Sequence, residues 1–217
     1  MVGPVDAVTL CGRVRDDLRE VEQQIRDNRW LADLEAGALD RKALRGFAGE
    51  QLFVIPSDRR SFEALARRRP DEPAHGYLTG MAAGEGVALA ALDTLAAAVG
   101  LTDTYEPTPG CQAYPSYVAR LARDGSPAEV AGAFLVNLEA WGGACARMHA
   151  ALTRGYGLGD AECAFFAHFS GPTGELERIS LAVIDAGLAE GVEPAAIARA
   201  ARLLQAYELQ FWQSLPR

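Results

Sequence analysis

Apolar residues recur at three- and four-residue intervals along nearly the whole chain, the period of helices packed through one face. From Val5 to Arg26 they fall at Val8, Leu10, Cys11, Val14, Leu18, Val21 and Ile25, with charges between them. Trp30 to Leu34 reads as a short helix ending at Gly37, and Asp40 is placed to cap a helix that starts at Arg41. That helix runs toward Arg68, with Pro56 bending it or splitting it in two. The polar break Arg69-Pro70-Asp71-Glu72-Pro73 precedes a long helix from about Ala74 to Val99. Gly100 to Pro115, with Pro107, Pro109 and Gly110, reads as one extended loop. Further helices are expected at about Ser116–Arg123, Pro127–Thr153, Gly159–Phe169, Glu175–Leu188 and Pro194–Ser214. No segment alternates as a strand would. The pattern predicts one all-α bundle of about seven or eight helices over residues 1–217.

Bulk composition narrows the function classes. Apolar residues make up 49% of the 217 and charged residues 23%, as in ordinary globular proteins. The Ala-rich run from Ala88 to Gly100 is short and interrupted by Asp93, so no membrane association is expected. The N-terminus has Asp6 and no basic stretch of the signal-peptide kind. A net charge of −8 argues against nucleic acid as a partner, since that binding rests on basic surface. Lys42 is the single lysine among 21 basic residues, a bias we assign to a GC-rich genome. Cys11, Cys111, Cys145 and Cys163 form no CxxC pair and read as reduced thiols, which suits a cytoplasmic protein.

A few positions carry candidate chemistry. On a helix, Glu208 shares a face with Phe211 and Trp212, three and four residues on. A carboxyl held against two rings has a raised pKa and suits proton transfer; the plain alternative is an exposed Glu beside an aromatic anchor. Glu139 lies among Val136, Leu138, Ala140 and Trp141 and is expected to face inward. His168, among Phe165, Phe166 and Phe169, is either a pocket acid or ligand, or a satisfied core residue. His75 and His149 read as helix-end residues. Tyr114 and Tyr117 read as core or pocket wall. The Gly142-Gly143 pair implies close approach of a neighbouring helix or a ligand.

The order of several motifs resembles the TenA / thiaminase II family. These are Leu31 to Leu39, Phe47 to Phe53, Phe62 to Ala66, Glu85 with Leu92 to Leu101, Pro107 through Tyr117, Ala131 to Gly142, and Tyr207-Glu208 to Trp212. The resemblance runs from about residue 28 to the end, with residues 1–27 as an N-terminal helix. It implies a heme-oxygenase-like helical fold, a small-molecule substrate in a central pocket, and a homo-oligomer, dimer or tetramer. In the hydrolase branch the pocket binds an aminopyrimidine and cleaves a C–N bond. Carried over by position, the acid/base is Glu208 and the pyrimidine-holding tyrosine is Tyr114 or Tyr117. The family's Asp is Gln51, preceded by Glu50, and its nucleophilic Cys is Asn137. An Asn side chain is no nucleophile for displacement at carbon. Cys145 lies two turns further along the same helix. The reading gives Glu208 and Glu139 as catalytic residues. Gln51, Glu85, Tyr114, Tyr117, Asn137, Trp141, His168 and Phe211 are the substrate contacts.

Two other branches of this fold offer alternatives. Diiron oxidases and oxygenases place carboxylates where Glu85 and Glu139 stand, and a metal here would use Glu85, Glu139, His168 and Glu175. The histidine those enzymes carry seven residues after the first Glu is Leu92 here. The second branch resembles the cofactor-independent oxidase related to pyrroloquinoline-quinone synthase. No cofactor is expected, with iron the alternative. A non-catalytic ligand-binding or regulatory homologue is the third reading.

Overall fold

In a computed structural model, described over residues 5–102 and 104–217, the chain is all-helical. The described residues form nine helices, against the seven or eight expected. They are α1 (Ala7–Arg26), α2 (Arg29–Glu35), α3 (Arg41–Arg68), α4 (Ala74–Val99), α5 (Pro109–Asp124), α6 (Pro127–Gly155), α7 (Ala164–Phe169), α8 (Gly174–Ala189) and α9 (Pro194–Ser214). The starts are written in the sequence. Asp6, Asn28 and Asp40 accept hydrogen bonds from the backbone N–H three residues on, at 2.7, 2.8 and 2.9 Å. Ser126 and Glu129 form a reciprocal capping box at the start of α6.

Two expectations are corrected, and one open alternative is decided. α3 is not split: Pro56 sits inside one helix of 28 residues. α5 begins at Pro109, not Ser116, because Thr108 caps it by accepting from the Cys111 N–H at 3.3 Å. Proline at a first helical position gives up only an N–H that would have no partner, so Pro109 starts a helix where a loop was expected. α7 covers only Ala164–Phe169, with residues 160–163 in turns before it. A fourth point concerns α4. Its Ala- and Gly-rich sequence has a mean hydropathy of 1.4 over 18 residues, long and apolar enough to cross a membrane by length and composition. In the structure it packs along α3 and carries the buried carboxyl of Glu85.

Two apolar clusters fill the bundle. One gathers Phe62, Leu78, Val118, Phe134, Ile184 and Leu204. The other gathers Trp30, Phe47, Leu92, Phe165, Phe166 and Trp212. Tyr114 packs against both. α9 runs between α1, α5 and α6, so its residues reach the middle.

Glu50 fastens the segment before α5 to α3. Its fully buried carboxylate accepts from the Tyr105 hydroxyl at 2.8 Å, the Thr108 N–H at 2.7 Å and the Gln112 amide at 2.9 Å. Next to it, a Cβ on Gly49 would lie 2.5 Å from the Tyr105 ring, so this contact requires glycine. Hydrogen bonds to a charged group contribute about 1.5–3 kcal/mol each. Glu50→Ala is therefore expected to lower unfolding free energy by about 3 kcal/mol or more, measured by urea denaturation; a loss below about 1 kcal/mol would show that the clasp is not structural.

Candidate active site

Between the two clusters lies a cavity of about 330 Å³, a size that accepts a small molecule. Each wall follows from helical spacing. On α6, Phe134, Asn137, Leu138 and Trp141 recur at intervals of three and four and form one face. On α4, Gly76, Tyr77, Gly80, Met81, Gly84 and Glu85 form another. α3 contributes Gln51, Val54, Ile55 and Asp58; α5 contributes Tyr114; α9 contributes Glu208 and Phe211. Gly171, Pro172 and Thr173, between α7 and α8, are exposed and edge the mouth.

The deep end is acidic, and no Lys or Arg lines the cavity. Glu208 and Asp58 are 2% exposed and Glu85 is 7% exposed. Trp212 donates its indole N–H to Glu208 Oε1 at 3.2 Å. Glu208 Oε2, Glu85 Oε2, Asp58 Oδ1, Gln51 Oε1 and Asn137 Nδ2 are buried without a hydrogen-bond partner. Buried polar atoms are nearly always paired, so several orphans around one cavity mark a place prepared for a ligand. Burial pushes the Glu208 carboxyl up to about 8, partly offset by the Trp212 N–H and reinforced by Glu22. Burial alone lifts Glu85 to about 8. Asp58 is held well above the usual carboxylate range by burial and then by Glu85. Burial, with Asp58, Glu208 and Glu85 around it, pushes the Tyr114 phenol up.

The structure brings Gln51, Glu85, Tyr114, Asn137, Trp141, His168, Glu208 and Phe211 to this cavity. It does not bring Glu139, Glu175 or Tyr117. Glu139 lies two residues past Asn137, about 200° around the helix; its side chain is 71% exposed and paired with Arg26 at 2.8 Å. Its apolar neighbours line other faces of α6. Glu175 is exposed and paired with Arg178 at 2.6 Å. Tyr117 is buried, with its ring 5.2 Å from that of Tyr207, outside the cavity lining. His168 is an exposed rim residue, its ring 4.9 Å from Phe169, and partial burial lowers its pKa. The Gly142 position meets a helix end: a Cβ there would lie 3.1 Å from the Phe169 carbonyl oxygen. Asp58 was missed. It lies seven residues after Gln51, nearly the same face two turns on, but a break at Pro56 would have destroyed that register.

Residues 15–215 match the family described as TENA/THI-4/PQQC. The chain belongs to this family. Solved structures agree on the fold. A TenA homologue from P. horikoshii OT3 superposes with a TM-score of 0.76 at 16% identity, covering 94% of this chain and 96% of that one. A TenA homolog from Pseudomonas syringae pv. tomato str. DC3000 gives 0.79 at 11% identity, with 98% and 96% covered. Heme oxygenase-1 from the cyanobacterium Synechocystis sp. PCC6803, in complex with heme, gives 0.66 at 12% identity, with 95% and 91% covered. At these identities the likeness shows the heme-oxygenase-like fold alone. No curated protein sequence matches the chain.

Within this TENA/THI-4/PQQC member, no cysteine lines the cavity. Asn137 stands in the wall, and Cys145, two turns on, is fully buried with its thiol pushed well up by burial and by Glu208. Such a thiol is a packing residue, not a thiolate. The donors expected for iron do not converge, since Glu139 and Glu175 point away. Among the described residues no three His, Cys, Asp or Glu side chains gather in a metal-holding group.

The buried acids make stability depend on pH. Between about 4.5 and 8 the folded protein keeps protons on Glu85 and Glu208 that the unfolded chain has released. Stability from each group is therefore greatest below pH 4.5 and falls with rising pH by up to about 1.4 kcal/mol per unit, levelling above 8. Urea denaturation from pH 5 to 8 should show this decline, and Glu208→Gln should make it shallower. Equal slopes in both proteins would contradict the burial of an ionisable Glu208.

Proposed function

We propose that this chain is a TenA-type enzyme acting on a small nitrogen-containing molecule, and that it hydrolyses a C–N bond of an aminopyrimidine of the thiamine-related kind. The observation that supports this most is Glu208. Its carboxyl is buried at the blind end of the cavity, held by Trp212, with Oε2 facing no other donor. A carboxylic acid that keeps its proton near neutral pH suits general acid catalysis. Glu208 donates its proton to the departing nitrogen as the C–N bond breaks. Water adds its oxygen to the carbon and returns a proton to the Glu208 carboxylate, which restores the starting acid. Without a thiol in the wall, water attacks directly and no covalent intermediate forms on the protein. Gln51 Oε1 accepts from an amino group on the ring, the Asn137 amide donates to the ring or the water, and Phe211 and Trp141 pack its faces.

Glu208→Gln is expected to lower kcat about 10²–10⁴-fold with a small change in KM, in an assay of aminopyrimidine release. Intact-mass spectrometry during turnover should show no adduct. Full turnover by the Gln variant refutes the assignment, and a tightly held ligand recovered unchanged favours a binding protein instead. The reading includes a cytoplasmic homo-oligomer. Phe53 on α3 and Val87 on α4 stay 42% and 57% exposed, apolar surface that a second copy would cover. Light scattering should return two or four times the chain mass.

A further inference from the structure

The cavity is a throat as well as a chamber. Beside the buried acids its lining includes the apolar side chains of Met81, Phe134, Leu138, Leu176 and Ile179, and at α4 and the α7–α8 turn it reaches exposed residues. One wall has been stripped of side chains. Gly76, Gly80 and Gly84 follow one another at one-turn spacing on α4 and all line the cavity. A Cβ on Gly80 would meet nothing within 4 Å, and one on Gly84 would meet only His168 Nε2, at 3.8 Å. Close helix packing therefore does not require glycine at either position, and both border open space; a Cβ on Gly76, by contrast, would lie 2.8 Å from the Glu72 side chain. Gly76 to Glu85 spans about 13 Å of helix, longer than a single ring. Gly80, Gly171 and Pro172 are exposed, so the far end opens to solvent.

The chemistry at the two ends differs. Asp58, Glu85 and Glu208 put three buried, partly unpartnered carboxyls at the blind end, with no Lys or Arg to answer them. The throat offers apolar side chains and bare backbone. We propose that the ligand is an amine bearing an apolar tail, its nitrogen at the Asp58, Glu85 and Glu208 end and its tail along Gly84 and Gly80 to the mouth. This rests on the nitrogen-ligand reading above and adds the tail, with Gly80 and Gly84 as the residues that set its length and width.

Calorimetric titration with n-alkylamines from propyl to octyl, and with the matched n-alkanols, tests it. Affinity for the amines should rise about fourfold per methylene while the tail fills the throat, then level off beyond the mouth. Amines should bind more tightly than alkanols of equal length. In Gly80→Leu the rise should stop early, while propylamine, too short to reach Gly80, binds as before. Gly80→Ala, a smaller change with room for its methyl group, should shorten the rise slightly and guards against misfolding of the Leu variant. Amines that bind better than alkanols but without dependence on length would overturn the tail and leave the nitrogen reading intact. Equal binding of amines and alkanols would overturn the nitrogen reading, and the proposal with it. A uniform loss across the series in Gly80→Ala would also overturn the tail, since it would mean that Gly80 does not border it.

Discussion

The position of the Glu208 carboxyl is set by an aromatic cluster centred on Phe47. The Phe47 ring lies 5.5 Å from Trp30, 5.7 Å from Phe166, and 6.3 Å from Phe165, Phe211 and Trp212. Such offset and edge contacts fix ring orientations as well as burying apolar area. Trp212 is held from a further side by Trp141, at 5.9 Å. Held there, it has its N–H aimed at Glu208 one turn back on α9. The Trp30 indole donates to the Pro216 carbonyl at 3.0 Å, tying down the chain just beyond α9. Apolar packing thus positions an acid, and the acid's surroundings decide that it keeps its proton.

Around that acid the bundle does something a pure core would not. The two apolar clusters meet at Tyr114 and leave space between them, and the polar atoms facing that space have few partners. Each unpaired buried donor or acceptor costs about 1–3 kcal/mol, which a packed core would eliminate. Their convergence from α3, α4, α6 and α9 concentrates the cost at one point, the pattern expected of a pre-formed ligand site. Glu50 shows the contrast: equally buried, on the same helix, but with three donors to its carboxylate. It braces the wall, while Gln51 beside it is left open.

The TENA/THI-4/PQQC family match spans residues 15–215, and Glu208 stands on the last helix beside Phe211 and Trp212. Asn137 on α6, Asp58 on α3 and Glu85 on α4 line the same cavity as Glu208. The cavity lining is rich in carboxyls and includes no Lys, Arg or Cys.

The sequence by itself determined the all-α class, most of the helices and the Asp40 cap, because these depend on contacts within four residues; the start of α5 at Pro109 and the shortness of α7 were not read from it. It also determined that Glu208, Phe211 and Trp212 share a face, for the same reason. Asn137 and Trp141 were legible together, four residues apart on one face of α6. Tertiary structure decided what local spacing leaves open: which face of a helix meets a neighbour. Glu139 reads as inward by its apolar neighbours, yet those neighbours serve other faces, and Arg26 from α1 holds it outside. Tyr114 and Tyr117 sit three residues apart on α5, and only the placing of α9 sends the first to the cavity and the second to Tyr207. Asp58 reached the site because α3 continues through Pro56. The pairing of Asp58 with Glu85 depends on how α3 lies against α4. No spacing within one segment encodes that distance, since it is fixed by the packing of residues far apart in the chain.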